Sequence, residues 1–147
     1  MIREITGDLI LQAQDFDVIV HGANCFCTMG SGIARQIRQT FPEAFEVDQQ
    51  TTKGDRDKLG TLTFTQNTHP IVVNAYTQYR YGRDKMHCDY EAVKSCMQAL
   101  KQQFSGKKIG MPLIGAGLAG GDWEIIFSII QEELADEDVT IVKWEGK

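Results

Sequence analysis

Hydrophobic residues along this chain alternate between short continuous runs and stripes with helical spacing. The runs predict strands over residues 2–6, 17–21, 61–65, 71–76, 109–114 and 139–144. The stripes predict helices over residues 31–41, 42–50 and 89–104, and a further helix that begins after a capping aspartate, Asp122. Because strands and helices alternate, we predict an α/β fold with a mixed, mainly parallel sheet.

Two of the predicted strand-to-helix junctions are rich in glycine. In the first, the strand that ends at His21 leads through a loop to Gly30-Ser31-Gly32 and then to a helix. In the second, four glycines lie between Gly115 and Gly121. Glycine allows backbone N–H groups to approach a ligand, and helix N-termini favour negative charge. We therefore expect one ligand with two phosphates, held from both sides.

The loops that follow the predicted strands should meet at one place. In an open α/β sheet, ligands bind in the crevice outside the carboxyl ends of the strands. Residues 21–32, 77–81 and 115–122 all follow predicted strands. We expect them to surround a single cleft.

Composition narrows the class of protein. The 147 residues suit one domain, and a hydrophobic fraction of 42% is enough for a packed core. The net charge of −5 argues against a nucleic-acid groove, so an anion site must be built locally from backbone amides. No apolar run approaches the length of a membrane span, and the amino terminus has no signal-peptide pattern. We expect a soluble, cytoplasmic monomer that does not bind membranes.

The four cysteines are Cys25, Cys27, Cys88 and Cys96. Without an export signal, disulfides between them are not expected. Cys25, Cys27, His87 and Cys88 have the side chains that bind zinc, but their spacing does not require it. We predict no metal site.

Neither glycine loop matches a common nucleotide-binding motif. No Lys-Ser or Lys-Thr pair follows the glycines, which excludes a P-loop. Gly115, Gly117 and Gly120 approach the dinucleotide-binding fingerprint, but that motif opens the first βαβ unit and has an acidic residue about 20 positions later. This junction lies near the carboxyl terminus, so a Rossmann cofactor site is not predicted.

Several polar residues allow both a structural and a functional interpretation. Asp8 could cap a turn, or it could accept a hydrogen bond from the exocyclic amine of adenine. Asp122 would cap its helix in either case and could also act as a general base. His21 could be a hydrogen-bonded core residue, or it could join Asn24 and Asp122 in acid–base catalysis near neutral pH.

Residues 77–79 follow another predicted strand. Thr77 and Gln78 offer hydroxyl and amide groups to a ribose, and Tyr79 or Tyr81 could stack on a ring.

Taken together and in this order, the motifs resemble those of the macrodomains, which are ADP-ribose-binding α/β modules. Gly7-Asp8-Leu9 resembles the family's early Gly-Asp pair, whose aspartate contacts adenine. Residues 20–24 stand where many members have Val-Asn-Ala-Ala-Asn, and residues 29–34 match the first glycine-rich loop. Residues 112–123 match the second phosphate loop. The resemblance implies a single macrodomain over residues 1–147, built as a three-layer α/β/α sandwich.

Within that family, the chain resembles the yeast-type ADP-ribose 1″-phosphate phosphatases. His21 replaces the first asparagine of the strand-end motif, and the ending of the second loop is similar. The chain is also similar to the branch that removes ADP-ribose from glutamate, with two differences. Gln78 stands where that branch has a lysine, and Ala119 stands where it has an aspartate.

The resemblance implies roles for particular residues. His21, Asp122 and Asn24 are the expected catalytic residues. The expected ligand-binding residues are Asp8, Leu9, Ile19, Gly22, Ala23, Gly30, Ser31, Gly32, Ile33, Ala34, Thr77, Gln78, Tyr79, Gly115, Ala116, Gly117, Leu118, Ala119, Gly120 and Gly121.

The leading hypothesis is hydrolysis of ADP-ribose 1″-phosphate to ADP-ribose and phosphate, without a cofactor. His21 and Asp122 would flank the 1″ substituent, and Asn24 would hold the distal ribose. Two alternatives remain open. The chain could release ADP-ribose from a modified protein, nucleic acid or small metabolite, or it could bind ADP-ribose without turnover.

Overall fold

The computed structural model of the chain describes residues 1–81, 86–117 and 119–144. The strands of the sheet are β1 (Ile2–Thr6), β2 (Val18–Ala23), β3 (Leu62–Phe64), β4 (Ile71–Tyr76), β5 (Lys108–Met111) and β6 (Asp138–Lys143). The α-helices are α1 (Gly32–Thr40), α2 (Pro42–Gln49), α3 (Tyr90–Phe104) and α4 (Trp123–Glu133). Short 3₁₀ turns lie at Ala13–Asp15 and Arg56–Lys58.

The six strands form one sheet in the order β1-β6-β5-β2-β4-β3. Neighbouring strands are parallel except for β3, which pairs with β4 in the antiparallel direction. This confirms the prediction of a mixed, mainly parallel sheet. It also places the carboxyl ends of β1, β6, β5, β2 and β4 at one edge.

Helices cover both faces of the sheet. Val18 and Val20 of β2 lie in a core with residues of α3 and α4, whereas Ile19 lies in a second core with Ile37 of α1 and Ala44 of α2. Successive residues of a strand point to opposite faces, so a continuous apolar run is what a strand covered on both sides requires. The three-layer sandwich implied by the resemblance is confirmed.

Three strands differ in length from their predictions, and of these β3 is one residue shorter at each end. β2 continues to Ala23 instead of ending at His21, because its backbone pairs with β4 as far as Tyr76. β5 ends at Met111 instead of continuing to Ile114, since Pro112 has no N–H for the ladder. Residues 112–116 form turns instead, in which the N–H of Ile114 donates to the Pro112 carbonyl at 2.7 Å.

Helix α4 begins where the sequence predicted. Asp122 is its N-cap, and the carboxylate accepts the N–H of Glu124 at 2.9 Å. Helix α3 begins in the same way, with Asp89 accepting the N–H of Ala92 at 3.1 Å. These caps satisfy backbone donors that a helix start otherwise leaves unpaired.

None of the helices described here is long and apolar enough to cross a membrane. All four cysteines are free thiols. Within the described ranges, no three histidine, cysteine, aspartate or glutamate side chains are grouped as metal ligands.

Candidate functional site

A cavity of about 1110 Å³ opens at the edge where the parallel strands end. Its walls come from the loops after β1, β2 and β5, from the start of α1, and from residues at the end of β6. The position follows from the topology, because these loops all leave the sheet at its carboxyl edge. Asp8 follows β1 and Gln78 follows β4, so the cavity spans four strand spacings, roughly 19 Å.

Most of the predicted ligand-binding residues line this cavity, together with one predicted catalytic residue, Asn24. They are Asp8, Leu9, Gly22, Ala23, Asn24, Gly30, Ser31, Gly32, Ile33, Ala34, Gln78, Gly115, Gly117 and Ala119. The predicted residues that do not line it are Ile19, His21, Thr77, Tyr79, Ala116, Gly120, Gly121 and Asp122. Leu118 lies outside the described residues.

The first glycine loop presents the start of α1 to the cavity. Ser31 is the N-cap of this helix but makes no side-chain capping hydrogen bond. The first-turn N–H groups of α1 are therefore not capped by the Ser31 hydroxyl, and they carry the positive end of the helix dipole. A Cβ atom added at Gly30 would meet no other atom within 4 Å, so the backbone is open at this point. This arrangement is suited to an anion.

The second glycine loop faces the same cavity through Gly115 and Gly117. Hydrogen bonds within the loop hold its shape, with Gly121 N–H donating to the Gly115 carbonyl at 2.8 Å and Ala116 N–H donating to Leu113 at 3.1 Å. The loop is also tied to a neighbouring segment, because the Ala119 carbonyl accepts the N–H of His87 at 2.8 Å. Residues of both glycine loops thus line one cavity.

Asp8 lies in the cavity wall and also stabilises a turn. Its Oδ1 accepts the N–H groups of Ile10 at 3.0 Å and Leu11 at 3.2 Å. Both interpretations of Asp8 are therefore compatible with the structure. A carboxylate has a second oxygen, Oδ2, that can accept a hydrogen bond from a ligand.

Asn24 lines the cavity and holds the loop between β2 and α1. Its Nδ2 donates to Thr28 Oγ1 at 2.7 Å, and its Oδ1 accepts the N–H of Phe26 at 2.8 Å. These bonds fix the orientation of the amide. Thr28 also lines the cavity, so this pair presents polar atoms at the carboxyl end of β2.

His21 is fully buried and lies outside the cavity wall. Its Nε2 lies 2.6 Å from Oδ1 of Asn74, the residue opposite it on β4. The Nδ2 of Asn74 donates to the Ala44 carbonyl at 2.9 Å and to Thr63 Oγ1 at 3.1 Å, so its Oδ1 must accept from His21. The imidazole therefore carries its proton on Nε2.

This environment keeps His21 neutral. Burial lowers the pKa of His21 from 6.5 to about 4, and the hydrogen bond with Asn74 only partly opposes the shift. Nδ1 is buried and has no hydrogen-bond partner within the part of the chain that the structure describes. The structural interpretation of His21 fits this geometry better than direct contact with a ligand. Its place in the core suits a residue that positions the end of β2.

Asp122 is exposed, and its carboxylate is engaged as the cap of α4. The sequence-based hypothesis expected His21 and Asp122 to lie together on the cavity wall. The structure places neither of them there. Asp122 follows the second glycine loop directly, and its N–H donates to the hydroxyl of Tyr90 at 3.0 Å.

Thr77 and Tyr79 have structural positions. Thr77 is fully buried beneath Gly22, where an added Cβ would lie 2.8 Å from Thr77 Oγ1. The hydroxyl of Tyr79 donates to the Gly54 carbonyl at 2.8 Å. Tyr81 lines the cavity and is 60% exposed, which fits a residue that contacts a ligand.

The cavity wall contains residues that the sequence analysis did not select. Trp144 follows β6, lines the cavity and is 59% exposed. Arg35, Gln36 and Gln39 line it from α1. The sequence signal available for Trp144 was an aromatic residue directly after a predicted strand. Trp144 reaches the cavity because β6 pairs with β1, and that pairing is not visible in the sequence.

Comparison with known proteins supports the same family from sequence and from structure. Residues 20–130 match the Macro domain family. The chain is 36% identical to an uncharacterized 17.5 kDa protein of Enterobacteria phage T4, encoded in the tk-vs intergenic region, and the match covers 99% of the chain and 97% of that protein.

Two relatives with named activities are more distant. The chain is 27% identical to an ADP-ribose 1″-phosphate phosphatase of Candida albicans, over 90% of the chain and 93% of that protein. It is 24% identical to a DNA ADP-ribosyl glycohydrolase of Mycobacterium tuberculosis, where the match covers 99% of the chain but only 43% of that protein.

Among solved structures, the fold is similar to the macrodomain of Thermus aquaticus DarG. The TM-score is 0.76 at 23% identity, and the alignment covers 99% of both chains. Since the family match extends over most of the chain and the fold agrees, this protein belongs to the macro domain family.

Proposed function

We propose that the chain binds ADP-ribose in this cavity and hydrolyses ADP-ribose 1″-phosphate to ADP-ribose and phosphate. One observation carries the binding proposal. Two glycine loops from separate parts of the sequence line one cavity, so backbone N–H groups can approach a diphosphate from both sides. Such a site needs few cationic side chains, which agrees with a chain of net charge −5.

The ends of the cavity suggest how the ligand would lie. Asp8 and Trp144 are at the β1–β6 side, where a carboxylate and an indole would suit adenine. Asn24, Gln78 and Tyr81 are at the β2–β4 side, where amides and a hydroxyl would suit the distal ribose. The diphosphate would lie between them, across the two glycine loops.

Hydrolysis is supported by the similarity to the ADP-ribose 1″-phosphate phosphatase of Candida albicans, which extends over most of both chains. In this proposal Asp122 supplies the general base: it lies outside the cavity lining, but it is exposed and directly follows the second glycine loop. Asn24 would hold the distal ribose. His21 would position the end of β2 and would not transfer a proton, since its ring is fully buried and hydrogen-bonded to Asn74 in the core.

Two other functions are each favoured by one observation. Similarity to the DNA ADP-ribosyl glycohydrolases over 99% of the chain favours release of ADP-ribose from a modified macromolecule. The described cavity lining contains no histidine and one carboxylate, Asp8, which favours ADP-ribose binding without turnover.

One pair of measurements separates these functions. Calorimetry with ADP-ribose should give a dissociation constant in the micromolar range, and no binding would refute the binding proposal. Incubation with ADP-ribose 1″-phosphate should release phosphate. Asp122→Asn should lower this rate about 100-fold or more while keeping the helix cap, because asparagine also caps well.

The outcomes assign the function. Full phosphatase activity in Asp122→Asn would remove Asp122 from the mechanism. Binding without phosphate release at high protein concentration would favour the non-catalytic function. Release of ADP-ribose from a modified oligonucleotide or protein, without phosphatase activity, would favour the glycohydrolase.

A second prediction concerns Trp144. Ligand binding should change tryptophan fluorescence, and Trp144→Ala should weaken ADP-ribose binding about tenfold, the usual effect of losing an aromatic ring that stacks on a base. Trp123→Phe is the matched control, because Trp123 packs against Phe127 on α4 and does not line the cavity. A fluorescence change that persists in Trp144→Ala but disappears in Trp123→Phe would contradict the assignment.

A further inference from the structure

Two arginines lie on an aromatic surface beside the cavity. The guanidinium carbon of Arg56 lies 3.8 Å from the ring centroid of Tyr79. That of Arg80 lies 5.4 Å from the ring centroid of Phe26 and 5.7 Å from that of Tyr79. Phe26 and Tyr79 contact each other edge to face, with centroids 4.9 Å apart. We call Phe26, Arg56, Tyr79 and Arg80 the arginine–aromatic cluster.

The arginine–aromatic cluster adjoins the β2–β4 side of the cavity. Tyr81 lines the cavity, and its ring centroid lies 6.5 Å from that of Phe26. Gln78, another lining residue, donates its Nε2–H to the Arg80 carbonyl at 2.7 Å. A concavity of about 210 Å³ is lined by Arg56, Tyr79 and Arg80 of the cluster together with Met86 and His87. A chemical group that leaves the cavity on this side would therefore come next to two guanidinium groups.

Among the described residues, no carboxylate forms a salt bridge with either guanidinium group of the cluster. Both arginines are exposed, and within the described part of the chain the one salt bridge joins Arg3 and Asp138. Asp55 and Asp57 flank Arg56 in sequence, but among the described residues neither forms a salt bridge with it. Oδ1 of Asp55 accepts the N–H of Asp57 at 2.9 Å. In a chain of net charge −5, the cluster is thus a local positive site.

Stacking on rings also prepares these arginines for an anion. A guanidinium group that lies over an aromatic ring has less freedom left to lose when it binds an anion, and the N–H edges of this planar group can still donate hydrogen bonds. Those edges match the paired oxygens of a carboxylate or a phosphate. The cluster therefore has the charge and the geometry of an anion-binding surface.

We propose that the arginine–aromatic cluster is a subsite that selects ligands with an anionic group, a phosphate or a carboxylate, beyond the distal ribose. The inference rests on the proposed function, because the ADP-ribose moiety would bring that group to the β2–β4 side of the cavity. The glycine loops would hold the diphosphate that all such ligands share. The cluster would then distinguish charged from neutral substituents.

The test uses three non-hydrolysable ligands that differ only at the 1″ position: a neutral methyl glycoside, a carboxymethyl glycoside and a phosphonate. Calorimetry on the full chain should show that at least one anionic ligand binds about tenfold tighter than the neutral one. Arg56→Gln and Arg80→Gln should each reduce this preference, and the double variant should abolish it. Affinity for the methyl glycoside should not change.

Arg38→Gln is the matched control. Arg38 also stacks on a ring, with its guanidinium carbon 3.7 Å from the centroid of Phe45, but it does not line the cavity. Its loss should leave the preference intact. Arg56→Lys should retain only part of the preference for anionic ligands, because lysine keeps the charge but not the planar pair of donors.

The possible results are distinct. Equal affinities for the three ligands, or a preference that persists in the double variant, would overturn the subsite. If only the phosphonate binds more tightly than the methyl glycoside, the subsite selects a phosphate. If only the carboxymethyl glycoside does, it selects a carboxylate, and if both do, it accepts either group. Failure of all three ligands to bind would instead refute the proposed function, and the subsite with it.

Discussion

Lowering the pH from neutral to about 4 should cost the protein about 3 kcal/mol of its free energy of unfolding through His21 alone. Burial lowers the pKa of His21 from 6.5 to about 4, so the folded state favours the neutral imidazole. Between these values the unfolded state binds more protons than the folded state. Stability is therefore fully present above the unfolded-state pKa and is lost as the pH falls towards the folded-state pKa.

The variant His21→Gln isolates this contribution. Glutamine can donate a hydrogen bond to Asn74 Oδ1 as the imidazole does, but it does not titrate. Urea unfolding of both proteins at several pH values should show that the free energy of unfolding falls less with decreasing pH in the variant than in the wild type. His69→Gln, at an exposed histidine, is the control and should keep the wild-type pH profile. Identical profiles for the wild type and His21→Gln would show that the imidazole does not lose its proton on folding.

Replacing Gly115 with alanine should destabilise the fold by about 3 kcal/mol. Gly115 has a φ of +77°, in the left-handed region that side chains rarely adopt. An added Cβ would also lie 2.8 Å from Cys88 Sγ and 3.1 Å from Ile126 Cδ1, inside the packed core. Backbone strain and overpacking act together here, and urea unfolding would measure their sum.

Gly117→Ala is the matched control in the same loop. A Cβ at Gly117 would meet nothing within 4 Å, so stability should change by less than about 0.5 kcal/mol. The added methyl group would occupy space in the cavity, so ADP-ribose affinity should fall. In a Cys88→Ala background, Gly115→Ala should cost only about 1–2 kcal/mol, because the contact with sulfur is gone and the strain remains. Equal stability of Gly115→Ala and Gly117→Ala would contradict both arguments.

Most of the fold could be predicted because its signals are local. β1 and β4 have the predicted bounds, 2–6 and 71–76, since apolar runs and the turns around them suffice to define buried strands. The ends of β2 and β5 were less accurate. The end of β2 depends on its pairing with β4, and the end of β5 depends on how Pro112 enters the glycine loop.

The candidate site was predictable in part. Glycine spacing identified both loops, and residues of both line the cavity. The side chains were harder to place. Successive side chains of a strand point to opposite faces, so a shift of one residue moves a side chain from one face of the sheet to the other. His21 ends up opposite Asn74 in the core, and Trp144 reaches the cavity through the pairing of β6 with β1.

The arginine–aromatic cluster shows the same limit. Phe26, Arg56 and Arg80 are far apart in sequence, and their charges and rings carry no periodic signal. Phe26 and Arg80 meet because the loops after β2 and β4 lie side by side in the sheet. Arg56 comes from the turn before β3, and the antiparallel pairing of β3 with β4 brings the start of β3 to the same edge. No local pattern could have predicted that contact.

The amino-acid sequence by itself determined the α/β class, the order of the elements, the helix cap at Asp122 and the two glycine-bearing turns. Each of these depends on residues within a few positions of one another. Only the tertiary structure decided which polar groups face the cavity, because that depends on strand order and register, which join residues distant along the chain. In the tertiary structure His21 lies in the core, Asp122 caps α4, and two arginines lie against aromatic rings beside the cavity.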